Sequence, residues 1–197
     1  MRRITVIDHV TLDGVMQAPA RPDEDGRDGF EHGGWAVPYG DAVMAEFMGK
    51  GMAGGGALLF GRRTYEDFAA VWPKQKGNPI STLLDERQKY VASTTLREPL
   101  PWVNSTLLRG DAAQAVARLK EEPGDDLAVL GSGELVQSLI RHGLVDAYVL
   151  TIHPLLLGAG RRLFPDDGPR ADLQLVETQT TTTGVIIAVY QPVEPAA

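Results

Sequence analysis

Two segments of this chain repeat one arrangement: a four-residue apolar run, a glycine, and the start of a helix. The first is Ala57-Leu58-Leu59-Phe60 followed by Gly61-Arg62-Arg63-Thr64, and the second is Leu127-Ala128-Val129-Leu130 followed by Gly131-Ser132-Gly133-Glu134. An apolar run with no polar alternation suits a strand covered on both faces, which is how strands of a parallel sheet are buried. Parallel neighbours need a crossover connection, and a helix supplies it. The rest of the chain agrees. Residues 4–10, 89–93, 102–106 and 147–153 read as further strands, and residues 173–180 and 185–190 as a hairpin about Thr183-Gly184. Helices are expected at 41–48, 64–72, 111–121 and 134–142, with Asp41 as an N-cap, Pro73 a stop, and Gly143 a C-terminal cap. Residues 11–34 and 74–82 read as loops. The expected fold is α/β: a mostly parallel sheet of about eight strands, an antiparallel C-terminal edge, and about four helices on its two faces.

Composition narrows the function classes. The chain has 197 residues, expected as one domain over 1–197 that buries roughly 70% of its unfolded surface. Its net charge of −7 disfavours nonspecific binding to nucleic acid or to anionic membranes. It has no cysteine, so disulfides, thiolate metal sites and cysteine nucleophiles are all excluded. The histidines fall at no metal-ligand spacing, and no metal is expected. The N-terminal stretch lacks the apolar core of a secretory signal, and no run approaches the length of a membrane span. The expectation is a cytoplasmic protein acting on a small molecule.

Three places carry groups suited to phosphate. At Gly131-Ser132-Gly133-Glu134 the glycines admit close backbone approach, and the helix N-terminus offers free N–H groups. A tight turn with no ligand has the same appearance. At Gly61-Arg62-Arg63-Thr64 two cations stand where the helix dipole is already positive, a conflict that an anion would remove. Two solvated surface arginines are the plainer reading. At Ser93-Thr94-Thr95 hydroxyls end a strand, as they do in ordinary turns. Ligands of open α/β sheets bind at the carboxyl ends of strands, so the three together say more than any one.

In order and spacing these segments, with Leu150-Thr151-Ile152-His153, resemble the dihydrofolate reductase superfamily. The stretch from Leu144-Val145-Asp146 to His153-Pro154-Leu155-Leu156-Leu157-Gly158, then Arg162-Leu163-Phe164-Pro165, together with Thr11-Leu12-Asp13-Gly14, is more similar to one branch. That branch is the C-terminal reductase domain of bacterial riboflavin-biosynthesis deaminase/reductases and its stand-alone relatives. The resemblance implies a dihydrofolate reductase-like three-layer fold, NADPH as cofactor, hydride transfer to a pterin- or pyrimidine-like ring, and a homodimer. It places Gly61, Arg62, Arg63 and Thr64 by the adenosine phosphate and pyrophosphate, and Ser93 and Thr94 by the 2′-phosphate. Gly131, Ser132, Gly133 and Glu134 would form the pyrophosphate turn, with Val10 and Gly14 near the nicotinamide.

The proton donor is open. Trp35-Ala36-Val37-Pro38 matches the Trp-x-x-Pro that precedes the superfamily's carboxylate, but Asp41 comes one residue late and serves equally well as an N-cap. Asp13 is the other candidate acid, and turn formation with Gly14 explains it as well. Trp35, Phe47 and Thr151 are expected at the substrate, and His153 in a structural role. Val15 and Met16 stand where the riboflavin branch carries a lysine, and the zinc-deaminase signature is absent. A non-catalytic nucleotide-binding module on the same fold is the alternative.

Overall fold

The computed structural model describes residues 1–193. Eight strands form one sheet in the order β4-β3-β2-β5-β1-β6-β8-β7. The strands are β1 (Ile4–Thr11), β2 (Ala57–Gly61), β3 (Lys89–Ala92), β4 (Ser105–Leu108), β5 (Leu127–Leu130), β6 (Ala147–His153), β7 (Leu173–Thr180) and β8 (Ile186–Pro192). The first six run parallel to one another; β8 runs antiparallel to both β6 and β7. The α/β sheet with an antiparallel edge is therefore as the sequence reads.

Strand alternation builds two cores. Ile4, Val6 and Val10 of β1 share a face with Leu59, Val129 and Leu150. The helices α4 (Ala112–Glu121) and α5 (Gly133–Arg141) cover that face with Val116, Leu119, Leu135, Val136 and Leu139. Leu58, Phe60 and Val91 point the other way and meet Tyr65 of α2 (Arg62–Val71) and Leu84 of α3 (Pro79–Glu86). The remaining helix, α1 (Ala42–Ala53), is capped by Asp41, whose carboxylate accepts from Met44 N–H at 2.8 Å.

Four expectations need correction. The segment expected as a loop, 74–82, holds the start of α3, which brings the α-helices among the described residues to five, close to the number expected. Asn78 caps α3 by accepting from Ile80 N–H, and Pro79 opens it, so residues read as loop punctuation are start signals. α1 runs past Gly49 and Gly51. α2 starts two residues before Thr64, leaving that threonine in the first turn rather than at the cap. The strand expected at 102–106 begins at Ser105. Trp102 instead inserts between the helices and the sheet, where its Nε1 donates to Asp85 at 2.5 Å. Its ring also lies 4.6 Å from the Lys89 ammonium. Lys89 is fully buried, and its Nζ donates to the carbonyls of Leu84 (2.6 Å), Asp85 (3.2 Å) and Arg87 (2.7 Å) at the end of α3.

Candidate functional site

The carboxyl ends of β2, β3 and β5 open into one cleft of about 540 Å³. Gly61 to Thr64 line it from the start of α2, Ser93 to Thr95 from the turn after β3, and Ser132 to Leu135 from the start of α5. The sequence segments with phosphate-compatible groups, far apart in the chain, therefore meet. Gly131 does not line the cleft. Its φ of +56° turns the chain out of β5, and a side chain there would meet Thr64.

Ser132 and Thr64 lock the two glycine turns together. Ser132 N–H donates to Thr64 Oγ1 at 3.1 Å, Gly61 N–H donates to Ser132 Oγ at 3.0 Å, and the Ser132 hydroxyl donates to Leu130 O at 3.2 Å. Ser132 adopts a left-handed conformation (φ 61°), a cost that these bonds offset. Neither α2 nor α5 has a side-chain cap, so first-turn N–H groups of both helices remain for a ligand. Arg62 reaches across the cleft, donating to Thr95 Oγ1 at 2.9 Å. Arg63 is exposed and makes no ion pair among the described residues. Ser93 is turned inward: its Oγ accepts from the N–H groups of Thr95 and Leu96, while Thr94 is exposed.

Two arginines absent from the sequence reading meet on Glu134 at the cleft's edge; of them, Arg27 lines the cleft. Glu134 Oε1 accepts from Arg27 at 3.2 Å and from Arg161 at 3.1 Å. Arg27 is held in turn by Asp25, and Arg161 by Asp28. Both arginines sit in irregular segments, where no periodicity marks them. A second cleft of about 320 Å³ adjoins the first, sharing Arg27, Gly133 and Glu134 and adding Met16, Gln137 and Arg162.

The candidate acids are engaged elsewhere. Asp13 accepts from Thr11 Oγ1 (2.5 Å), Leu157 N–H (3.3 Å) and Gly158 N–H (2.7 Å), which hold its carboxyl below the ordinary range, the Thr11 hydroxyl foremost. Asp41 caps α1 and also accepts from Thr182 N–H and Oγ1, each at 2.6 Å. Those bonds, the Met44 N–H first, lower its pKa too. Val10 is buried in the core, and Gly14 (φ +80°) forms a tight turn; neither is among the residues lining the 540 Å³ and 320 Å³ clefts.

Of the expected substrate residues, Phe47 is half-buried on α1. Thr151 is buried and donates to Asp8 O at 3.1 Å. Trp35 is buried, donates to Gln17 O at 2.7 Å, and forms a T-shaped pair with His153, ring centroids 5.1 Å apart.

Three titratable groups on β1 and β6 carry the largest perturbations here. Burial pushes the Asp8 carboxyl up to about 8, and its Oδ2 has no hydrogen-bond partner among the described residues. His9 Nδ1 and His153 Nε2 stand 3.0 Å apart, and burial pulls both rings down to about 4. His153 is not the satisfied structural histidine expected, since its buried Nδ1 has no hydrogen-bond partner among the described residues. The two histidines are 144 residues apart, so no local spacing announces the pair.

A family model described as the RibD C-terminal domain matches residues 2–187. The uncharacterized protein YyaP of Bacillus subtilis strain 168 is 30% identical over 196 residues, covering 96% of this chain and 94% of its own. Two solved structures share the fold. A protein assigned to riboflavin biosynthesis from Shewanella sp. PV-4 has a TM-score of 0.64 at 18% identity, covering 98% of this chain and 99% of its own. A pyrimidine reductase-like protein from Corynebacterium diphtheriae has a TM-score of 0.65 at 13% identity, covering 98% and 93%.

Proposed function

The chain belongs to the RibD C-terminal domain family, and from that premise we propose that it is an NADPH-dependent reductase delivering hydride to a small heterocycle. The observation that carries this reading is the convergence of three strand ends, two uncapped helix N-termini and the Arg62-Arg63 pair on one cleft. That donor set fits a polyanionic dinucleotide: backbone N–H groups and guanidinium forks for phosphate, with little carboxylate free to oppose it. Glu134, the acid in the cleft's first helical turn, is already neutralised by Arg27 and Arg161.

In this reading Arg62, Arg63 and the exposed Thr94 hold the adenosine side of the cofactor. The first-turn amides of α5 hold the pyrophosphate, with the Ser132–Thr64 bond fixing their aim. Bound NADPH supplies the hydride; the protein supplies orientation and electrostatics. The same proposal includes a homodimer in the cytoplasm. The engagement of Asp13 and Asp41 favours a second reading, a nucleotide-binding module without turnover.

Titration with NADPH and NADH, followed by cofactor fluorescence and thermal shift, tests the first reading. Preferential binding of NADPH supports it, and no binding of either rejects it. Oxidation of bound NADPH across pterins, pyrimidines and quinones separates enzyme from binding module.

A further inference from the structure

The His9–His153 pair has a geometry that fixes where its protons lie. One proton occupies the 3.0 Å contact between His9 Nδ1 and His153 Nε2. Were His9 the donor, neutral His153 would keep its own proton on Nδ1, which is buried and has no acceptor. A stranded buried N–H is among the rarest defects of folded proteins. With His153 as donor, only a vacant lone pair is stranded, and His9 carries its proton on Nε2. Among the described residues no group bonds that nitrogen. Trp35 and Tyr39 pack in T-shaped pairs with the His153 ring, centroids 5.1 and 5.4 Å away at 89° and 80°, and hold it in place.

The surroundings of His9 indicate what its N–H meets. β1 pairs with β5 up to Ile7↔Leu130, so His9 stands two residues further on, level with the Gly131–Ser132 turn that borders the cleft. On the same face, Ile7 lies beside Val149 in the β1–β6 register. Both are half-buried, and neither belongs to either core cluster. The Asp8 carboxyl, by strand alternation, points to the opposite face. The result is a half-buried apolar strip, Ile7 and Val149, leading to His9, with Thr151 beside it in the register; the strip adjoins the two clefts without lining them.

We propose that His9, positioned by His153, is the substrate-recognition donor of this site, presenting Nε2–H to a carbonyl oxygen or unprotonated ring nitrogen of a flat, uncharged ring. This rests on the reductase reading above. His9 keeps its proton throughout: a neutral imidazole polarises a carbonyl as a hydrogen-bond donor without transferring charge. The low pKa values of both rings keep the pair uncharged at neutral pH.

The test begins with long-range ¹H–¹⁵N correlation of the histidine rings in the intact protein at pH 7, assigned with His9→Gln and His153→Gln. Both rings are expected neutral and protonated on Nε2. A cationic ring, or His9 protonated on Nδ1, overturns the proposal, and this holds whether or not NADPH binds. With NADP⁺ present, 6,7-dimethylpterin and menadione serve as carbonyl probes. At least one should shift the His9 Nε2 resonance; no shift with either, while NADP⁺ is bound, also overturns it. For a probe that is reduced, His9→Phe should lower kcat/KM tenfold or more while NADPH affinity stays within twofold. His9→Gln, which keeps a donor, should recover most of the loss. Wild-type kcat/KM in His9→Phe refutes the assignment.

Discussion

Thr64 Oγ1 takes the amide proton of Ser132 at 3.1 Å, joining the first turn of α2 to the turn that opens α5. Each helix N-terminus is thereby aimed by a residue from the other. Thr64→Ala should cost about 1–2 kcal/mol of stability by leaving the Ser132 amide unpaired in a left-handed residue. It should also weaken NADPH binding, and Thr64→Ser should restore both. Chemical unfolding and fluorescence titration measure the pair of effects; unchanged cofactor affinity in a destabilised Thr64→Ala would detach the lock from the site.

Arg62 spans the cleft to Thr95, next to Ser93 and Thr94, which the resemblance places by the 2′-phosphate. Arg62→Ala should raise the NADPH dissociation constant about tenfold, or about 1.4 kcal/mol, with a smaller effect on NADH. Equal penalties for the two cofactors would remove Arg62 from the 2′-phosphate.

Asp41 caps α1 and ties it to the β7–β8 turn through Thr182. Asp41→Ala should lower the melting temperature by several degrees while changing turnover of any reduced probe less than tenfold. A well-folded variant that has lost a hundredfold or more in kcat would restore Asp41 as the acid.

Asp8 and the histidine pair pull the pH dependence of stability in opposite directions. Asp8 titrates near 8 in the native state against 3.8 unfolded, so the native chain holds an extra proton between those values. Stability from this group is therefore lost as pH rises toward 8. His9 and His153 titrate near 4 against 6.5 unfolded, so their contribution is lost as pH falls from 6.5 to 4. Together the three groups place the maximum near pH 6.5. Asp8→Asn should abolish the decline from pH 6.5 to 8, which amounts to at most about 2 kcal/mol. Urea unfolding at the two pH values checks this; a decline of wild-type size in Asp8→Asn would refute it.

What the sequence discloses follows what is local. The strand-glycine-helix units at 57–64 and 127–134 are written in consecutive residues, and so are the cleft groups they deliver. The helix α3 is hidden because Asn78-Pro79 signals a loop as readily as a helix start, and burial of Ser81 and Leu84 settles it. Trp102 reads as a strand residue by type, yet Asp85 on a neighbouring helix draws its indole into the core. The Arg27–Glu134–Arg161 bridge and the His9–His153 contact join residues more than twenty-five apart, and only the fold brings them together.

Lys89 ends the account of α3 from outside it. An eight-residue helix is marginal alone in water, and here its last carbonyls are gathered by an ammonium that belongs to the following strand. Helix and strand therefore lose their order together. Because the amine has no exposure to solvent in the native fold, its acylation by a small reagent under native conditions becomes a clock for the opening of this whole border of the sheet.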